Sequence, residues 1–322
     1  MRAVYAEKPS STDPLSALRI GERPEPSPLD ASWSVINVKA AALNHHDLWT
    51  LRGAGLPAHC YPMILGGEAA GVDEDGNEVI AGAIIVDPRW SHEPVRDPSR
   101  TLLSEKLPGT FAERVAVPRH ALAAKPDYFT HAEAACLTGT WLTAYRMLFT
   151  KSGLNPGDTV LIQGAGGGVS TALIRLARAA GFRVWATSRS AEKRTRAEEI
   201  GAHATFPCGP PLPEPVDAVM ESVGRATWSH SMRSVRPGGT IVITGATTGA
   251  DANAHLSRIF WSELRIVGCT SGTLAELENL CQFMQLHGLR PDIAESIPFD
   301  EAPRGFERLL SSNVFGKIVF AW

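Results

Sequence analysis

One segment, residues 160–170, constrains the fold of this chain more than any other. It reads Val-Leu-Ile-Gln-Gly-Ala-Gly-Gly-Gly-Val-Ser, an apolar run that passes into glycines. Apolar residues at helical spacing follow it, and a second apolar run stands at 182–186. Glycines let a backbone approach a pyrophosphate closely, and a helix start offers free N–H groups. The pattern therefore predicts a strand, a turn and a helix that bind a dinucleotide, with a flexible turn as the alternative.

The candidate residues of this turn share a small side chain or a place at the start of the predicted helix. They are Gly164, Ala165, Gly166, Gly167, Gly168 and Val169. One departure from the dinucleotide pattern is Ser170, which stands where a glycine usually lets the helix pack on the strand. Serine is small, so we expect the packing to survive.

The end of the second strand predicts which dinucleotide is preferred. A carboxylate there usually binds the ribose hydroxyls of NAD, but this strand runs into Ser188 and Arg189, with Lys193 following. These three side chains suit a 2′-phosphate, which a carboxylate would repel. The alternative is that Arg189, Lys193 and Arg194 form a solvated helix start, but cations oppose the dipole there. We therefore predict NADP(H) over NAD(H).

Composition and charge exclude several classes of function. The chain has 322 residues, enough for two domains, and a net charge of −3 with dispersed basic residues. We expect no nucleic-acid partner, no membrane partner and no signal peptide. The five cysteines are odd in number and well separated, which argues against disulfides and a four-cysteine zinc lobe. A cytoplasmic protein with reduced thiols is the expectation.

The order of predicted elements indicates an α/β fold with two domains. Strands dominate to about residue 125, and from about residue 132 strands alternate with helices, which predicts a parallel sheet covered on both faces. A closing strand at 316–320 has no place in that sheet and is assigned to the first domain. We therefore predict a β-rich domain at 1–126 and 269–322, and a dinucleotide-binding domain at 127–268.

Several segments together resemble the medium-chain dehydrogenase/reductase superfamily, over essentially the whole chain. They are residues 41–49, 66–71, 109–113, 142–145, the glycine turn, 221–224, 236–239, 245–249 and 315–319. The resemblance implies a GroES-like catalytic domain joined to a Rossmann domain, with the active site in the cleft between them.

Zinc is the main question within that superfamily. Members that act as alcohol dehydrogenases hold a catalytic zinc at positions matched here by Asn44, Gly67 and Gly139, and only the neighbouring Glu68 is retained. Glycine has no donor atom, and a catalytic zinc needs three protein ligands. We predict no metal, with a substitute site built from histidines as the alternative. The chain then resembles the zinc-free quinone oxidoreductase and zeta-crystallin branch, which includes enoyl reductases.

The resemblance to that branch also implies roles for single residues. Asn44 and Asp47 match its Asn-x-x-Asp element, and Thr143 matches a threonine near the nicotinamide. Lys193 matches a lysine on the 2′-phosphate. Further cofactor contacts are implied for Ser222, Val223, Gly245, Ala246, Thr247 and Lys317. Trp49 and Cys208 depart from the pattern, since each stands where a tyrosine is often found.

The predicted reaction is NADPH-dependent reduction of a quinone or an α,β-unsaturated carbonyl, a small-molecule substrate. Without a metal, the developing oxyanion needs hydrogen-bond donors. The candidate catalytic residues are Asn44, His45 and Thr143, with His46 as a further donor and with a structural role for Asn44 as the alternative. The competing functions are a zinc-free alcohol or carbonyl reductase and a non-catalytic NADPH-binding redox sensor. We also expect a homodimer paired through residues 264–268.

Overall fold

Eighteen strands form four sheets in the computed structural model, which describes residues 1–322. In chain order they are β1 (Arg2–Ala6), β2 (Leu18–Glu22), β3 (Trp33–Ala42), β4 (Met63–Ile64), β5 (Ala69–Val72), β6 (Glu78–Ala81), β7 (Ile84–Ile85), β8 (Thr101–Leu102), β9 (Arg114–Pro118), β10 (Leu122–Ala124), β11 (Thr159–Ile162), β12 (Arg183–Thr187), β13 (Ala204–Phe206), β14 (Val216–Glu221), β15 (Val235–Ile243), β16 (Arg265–Gly268), β17 (Ile293–Pro298) and β18 (Lys317–Ala321).

Nine α-helices accompany the strands. They are α1 (His45–Arg52), α2 (His131–Ala134), α3 (Leu142–Tyr145), α4 (Gly168–Ala179), α5 (Ala191–Glu199), α6 (Arg225–Ser234), α7 (Leu256–Trp261), α8 (Leu274–Leu286) and α9 (Ala302–Leu310). Two π-helical segments, Leu137–Trp141 and Arg146–Lys151, flank α3. None of these helices combines the length and the apolar character that a bilayer crossing requires.

The chain divides into two units that share no sheet. The first contains residues 1–139, 273–281 and 293–322, and the second contains 140–272 and 282–292. The first unit is discontinuous because β18 pairs antiparallel with β3 and parallel with β17. Its division from the second unit falls after residue 139, whereas the sequence predicts a boundary after 126.

A six-stranded parallel sheet organises the second unit, in the order β13-β12-β11-β14-β15-β16. The chain starts in the middle at β11, extends to one edge, and then returns to place β14 on the other side of β11. This is the strand order of a Rossmann fold, in which ligands bind beyond the carboxyl ends of the strands where the order reverses. The predicted α/β class is thus confirmed.

The first unit is built around a seven-stranded sheet in the order β10-β6-β5-β3-β18-β17, with β9 also paired to β3. Its core is formed by buried aliphatic side chains and by Phe111, Phe306 and Phe320, whose rings contact one another. Burial of such side chains stabilises each by about 1.5–3 kcal/mol relative to exposure. The sheet carries the residues just after β3 and before β5, which form the first part of the candidate site.

Candidate functional site

The glycine turn between β11 and α4 has a backbone that only glycine adopts without strain. Gly164 and Gly166 have φ values of 74° and 119°. A Cβ atom on Gly164 would lie 2.6 Å from Cγ2 of Val223. The turn is therefore packed against the segment that follows β14, and the two segments predicted to bind the dinucleotide are neighbours.

Ser170, the departure from the dinucleotide pattern, strengthens this turn. Its side chain is 2% exposed, and its hydroxyl lies 3.0 Å from the carbonyl oxygen of Gly164 and 2.9 Å from that of Gly167. Gly167 is the N-cap of α4, and no side chain caps the helix there. The first amides of α4 therefore have no side-chain cap, as at helix starts that bind anions.

Lys193 lies directly against the glycine turn. A Cβ atom on Gly166 would be 2.8 Å from Cδ and 3.4 Å from Nζ of Lys193. Burial, followed by the charge of Arg189, lowers the pKa of Lys193. An anionic group at this point would raise the pKa of Lys193 again, because it stabilises the protonated form of the side chain.

The loop after β12 places the other predicted phosphate contacts. Ser188 is buried and Arg189 is exposed. Arg194 donates a hydrogen bond of 2.8 Å to the carbonyl oxygen of Ser188, which makes it a loop-stabilising residue here. Ser190 caps α5 by accepting a hydrogen bond from the amide of Lys193 at 3.2 Å. The cap fixes the start of the helix that carries Lys193.

The turns after β14 and β15 contact each other. A Cβ atom on Gly245 would lie 3.0 Å from the carbonyl oxygen of Ser222, and one on Gly224 would lie 2.8 Å from Cα of Ala246. Thr247 is exposed beside them. The structure thus brings together three of the predicted cofactor-binding segments at the carboxyl ends of β11, β14 and β15.

In the first unit, Asp47 fixes the start of α1. Its carboxylate accepts hydrogen bonds from the amides of Asn44 at 2.9 Å and Gly66 at 2.8 Å, and its side chain is fully buried. Burial raises the pKa of this carboxyl group, although these bonds act in the opposite direction. Asp47 therefore joins the end of β3 to the segment before β5.

A buried cation occupies the region of the sequence-matched metal positions. Lys317 lies 2.7 Å from Oε1 of Glu68 and donates hydrogen bonds to Oδ1 of Asn44 at 2.7 Å and to the carbonyl oxygen of Leu43 at 2.9 Å. Nδ2 of Asn44 donates to Oε1 of Glu68 at 2.9 Å and to the carbonyl oxygen of Ala42 at 3.2 Å. Sequence reasoning assigned Lys317 to the cofactor and did not foresee this network.

These residues do not suit a zinc ion. The amide of Gly139 donates to Oε2 of Glu68 at 2.6 Å, and a Cβ atom on Gly139 would lie 2.8 Å from that oxygen. Gly67 offers no donor atom, and the amide oxygen of Asn44 already accepts from Lys317. The chain has no group of three or more His, Cys, Asp or Glu side chains able to hold a metal ion. All five cysteines are free thiols.

The two adjacent histidines of α1 differ in their surroundings. The His45 side chain is exposed at the surface, but the surrounding protein partly desolvates it, which lowers its pKa. The charges of Lys317 and Arg52 lower the pKa further. Nε2 of His46 lies 3.1 Å from Oε1 of Glu105. Burial alone would lower the pKa of His46, but the contact with Glu105 and the charge of Asp47 raise it overall. The lowered pKa of His45 favours its neutral imidazole form.

Thr143 belongs to the second unit, whereas Asn44 and His45 belong to the first. Its side chain is 5% exposed in α3, between two π-helical segments. Such segments occur frequently at functional sites. The role of Thr143 near a nicotinamide stays a prediction.

Comparisons with known proteins match two family models to different parts of the chain. Residues 30–127 match the family model described as alcohol dehydrogenase GroES-like domain, and residues 168–285 match that described as zinc-binding dehydrogenase. The chain is 29% identical to acryloyl-coenzyme A reductase of Sulfurisphaera tokodaii, over 95% of this chain and 97% of that protein. It is 23% identical to quinone oxidoreductase of Lama guanicoe, over 88% and 87%.

A solved structure of an NAD-dependent alcohol dehydrogenase matches with a TM-score of 0.90 and 31% identity, over the whole of both chains. The fold and the glycine turn define a dinucleotide-dependent oxidoreductase of two units. The chain belongs to the medium-chain dehydrogenase/reductase superfamily, as its sequence motifs predicted.

Proposed function

We propose that this protein is an NADPH-dependent reductase that transfers hydride, without a metal, to the activated double bond of a quinone or an α,β-unsaturated carbonyl. The observation that carries the proposal is that the chain has the glycine turn of a dinucleotide site, while Lys317, Glu68 and Asn44 bond to one another at the positions matched to metal ligands. The names of the similar acryloyl-coenzyme A reductase and quinone oxidoreductase support the substrate class.

Lys193 supports the preference for the phosphorylated dinucleotide. Its side chain crosses Gly166 in the glycine turn, and Arg189 stands at the end of β12, where an NAD-binding protein usually has an acid. The solved relative named above is NAD-dependent, so the preference rests on these side chains of the present chain. A charge-assisted hydrogen bond to a 2′-phosphate contributes about 1.5–3 kcal/mol.

Metal-free reduction requires protein donors for the negative charge on the substrate oxygen. The bound nicotinamide supplies the hydride, and the protein supplies orientation and polarity. Both Nδ2 hydrogens of Asn44 are donated to Glu68 and Ala42, so its hydrogen bonds favour a positioning role. The imidazole N–H of His45 is the donor we assign to the oxyanion, and water supplies the proton that completes the reduction.

The test is a panel of NADPH-oxidation assays on a quinone, an enone, acryloyl-coenzyme A and a saturated aldehyde, each with and without a chelator. The proposal expects turnover of the unsaturated substrates, a saturated ketone from the enone, and no effect of the chelator. An allylic alcohol from the enone would instead identify a carbonyl reductase. Tight NADPH binding without turnover across the panel would identify a redox sensor. Loss of activity on chelation would contradict the metal-free assignment.

We also propose that two copies of the chain pair through β16. This strand lies at the edge of the six-stranded sheet and pairs only with β15, which leaves its outer backbone groups available. The preceding helix α7 exposes large apolar side chains, including Leu256 at 71%, Phe260 at 70% and Trp261 at 84%. A two-fold pairing of these edges would continue the sheet and cover that apolar surface.

A further inference from the structure

A chain of buried polar side chains lies beneath the turns of the second unit. Gln163, Thr187, Ser231 and Glu221 are all fully buried. None of them was singled out by the sequence. Buried polar groups cost free energy unless they are hydrogen-bonded, so a cluster of four requires an explanation.

The hydrogen bonds among these four side chains have a fixed direction. The hydroxyl of Thr187 donates to Oε1 of Gln163 at 2.6 Å, and Nε2 of Gln163 donates to the hydroxyl of Ser231 at 3.0 Å. Ser231 in turn donates to Oε2 of Glu221 at 2.6 Å. Each hydroxyl has one hydrogen, so every donor is assigned and reversing one bond would leave a buried group unsatisfied.

His230 fixes the orientation of the Gln163 amide. Its Nε2 lies 2.9 Å from the carbonyl oxygen of Pro210, which can only accept, so Nε2 carries the proton. The other ring nitrogen, Nδ1, then accepts from Nε2 of Gln163 at 2.9 Å. Burial lowers the pKa of His230, which favours this neutral form.

At both ends of this hydrogen-bonded series, a side chain accepts a hydrogen bond from a backbone amide of a turn assigned to the dinucleotide. At one end the amide of Gly164 contacts the hydroxyl of Thr187 at 3.4 Å. At the other end Oε1 of Glu221 accepts from the amides of Val223 at 2.8 Å and Gly224 at 3.0 Å. All the donors to Glu221 are neutral, and Thr227 adds a further hydroxyl at 2.9 Å.

We infer that Gln163, Thr187, Ser231 and Glu221 are positioning residues that set the spacing of the glycine turn and the Ser222–Gly224 turn for dinucleotide binding. The inference rests on the proposed function, since it takes both turns to be cofactor contacts. The two turns also touch through Gly164 and Val223, so a shift of one is transmitted to the other.

The test compares variants that remove one hydroxyl each with a variant that keeps the hydroxyl. Ser231→Ala and Thr187→Val interrupt the series of hydrogen bonds, and Thr187→Ser preserves it. Ser152→Ala is the matched control, because the Ser152 hydroxyl is also buried in the second unit and also bonds twice, to Leu148 at 2.5 Å and from Leu154 at 3.0 Å. Fluorescence titration gives the Kd for NADPH, steady-state kinetics gives KM and kcat, and thermal unfolding confirms that each variant folds.

We expect Ser231→Ala and Thr187→Val to raise the Kd and KM for NADPH by about tenfold, with kcat at saturating NADPH within about twofold of the wild type. Thr187→Ser and Ser152→Ala keep the wild-type Kd within about twofold. Wild-type binding by Ser231→Ala and Thr187→Val would overturn the inference, and so would equal weakening by Ser152→Ala. If the wild type binds no nicotinamide dinucleotide, the proposed function itself fails, and the inference with it.

Discussion

Nζ of Lys317 lies 2.7 Å from Oε1 of Glu68, and the side chains are 5% and 0% exposed. The two residues are 249 positions apart in the chain, so the last strand closes a site that begins beside β5. A buried carboxylate costs free energy unless it is hydrogen-bonded or paired with a cation, and for Glu68 the protein itself supplies the cation. The pair therefore gives the discontinuous first unit an electrostatic as well as a hydrophobic reason to include β18.

The first prediction concerns this pair. Lys317→Met removes the ammonium and leaves Glu68 charged and buried without its cation, so we expect unfolding in urea to require about 3–5 kcal/mol less free energy. The control is Arg119→Met, which breaks contacts with Glu74 and Asp75 between exposed side chains and should cost at most about 1 kcal/mol. Equal losses in the two variants would contradict a special role for the buried pair.

The sequence predicted the strand, the glycine turn and the helix that follows it, because the signal for them is local. Glycines at left-handed positions, a following helix start and the cations after β12 all lie within about thirty residues of one another. The Lys317 network could not be predicted in this way, since its members come from β18 and from the segments after β3 and before β5. Conventional spacing rules do not detect a cation that approaches through tertiary structure.

Some strands were also missed for physical reasons. β13 has three residues, and β5 is Ala-Ala-Gly-Val, so neither offers the β-branched run or long alternation that marks a strand. Residues 109–118 read as one strand in the sequence, but β9 begins only at Arg114, because Gly109 packs against the backbone at Leu65 and Gly66 instead. Glu221 carried a weak signal, an acid that ends an apolar strand, which is easily read as a strand terminus.

The second prediction tests the preference for the phosphorylated dinucleotide. Lys193→Met removes the ammonium beside Gly166, so KM for NADPH should rise roughly thirtyfold, equivalent to about 2 kcal/mol, while KM for NADH stays unchanged. Lys8→Met, an exposed lysine of the first unit, serves as the control and should alter neither value. A parallel rise in both KM values for Lys193→Met would show that the side chain supports the turn rather than the 2′-phosphate.

The third prediction concerns pH and the contact between His46 and Glu105. The pKa of His46 is raised in the folded protein, so its contribution to stability is full below its ordinary value of 6.5 and is lost as pH rises through the folded pKa. The pKa of Glu105 is lowered, so its contribution is present above its ordinary value of 4.5 and is lost as pH falls through the folded pKa. The pair therefore contributes most to the stability of the folded protein between pH 4.5 and pH 6.5.

Urea unfolding of Glu105→Gln checks this window. At about pH 6 we expect the variant to be less stable than the wild type by about 0.5–1 kcal/mol, and at about pH 9 the difference should vanish. Glu93→Gln is the control, since its partner Arg96 stays protonated across this range. A difference for Glu105→Gln that does not change with pH would mean that His46 does not titrate against Glu105.

The fourth prediction concerns the proposed pairing through β16. Ile266→Lys places a charge on this edge strand, at a side chain that is 37% exposed, and should convert a dimer into a monomer at micromolar concentration. The control is Leu29→Lys, since Leu29 is an exposed apolar residue, at 72%, in the first unit. Light scattering after size-exclusion chromatography gives the mass of each species. A monomeric wild type would contradict the proposed dimer, and a dimeric Ile266→Lys variant would place the interface elsewhere.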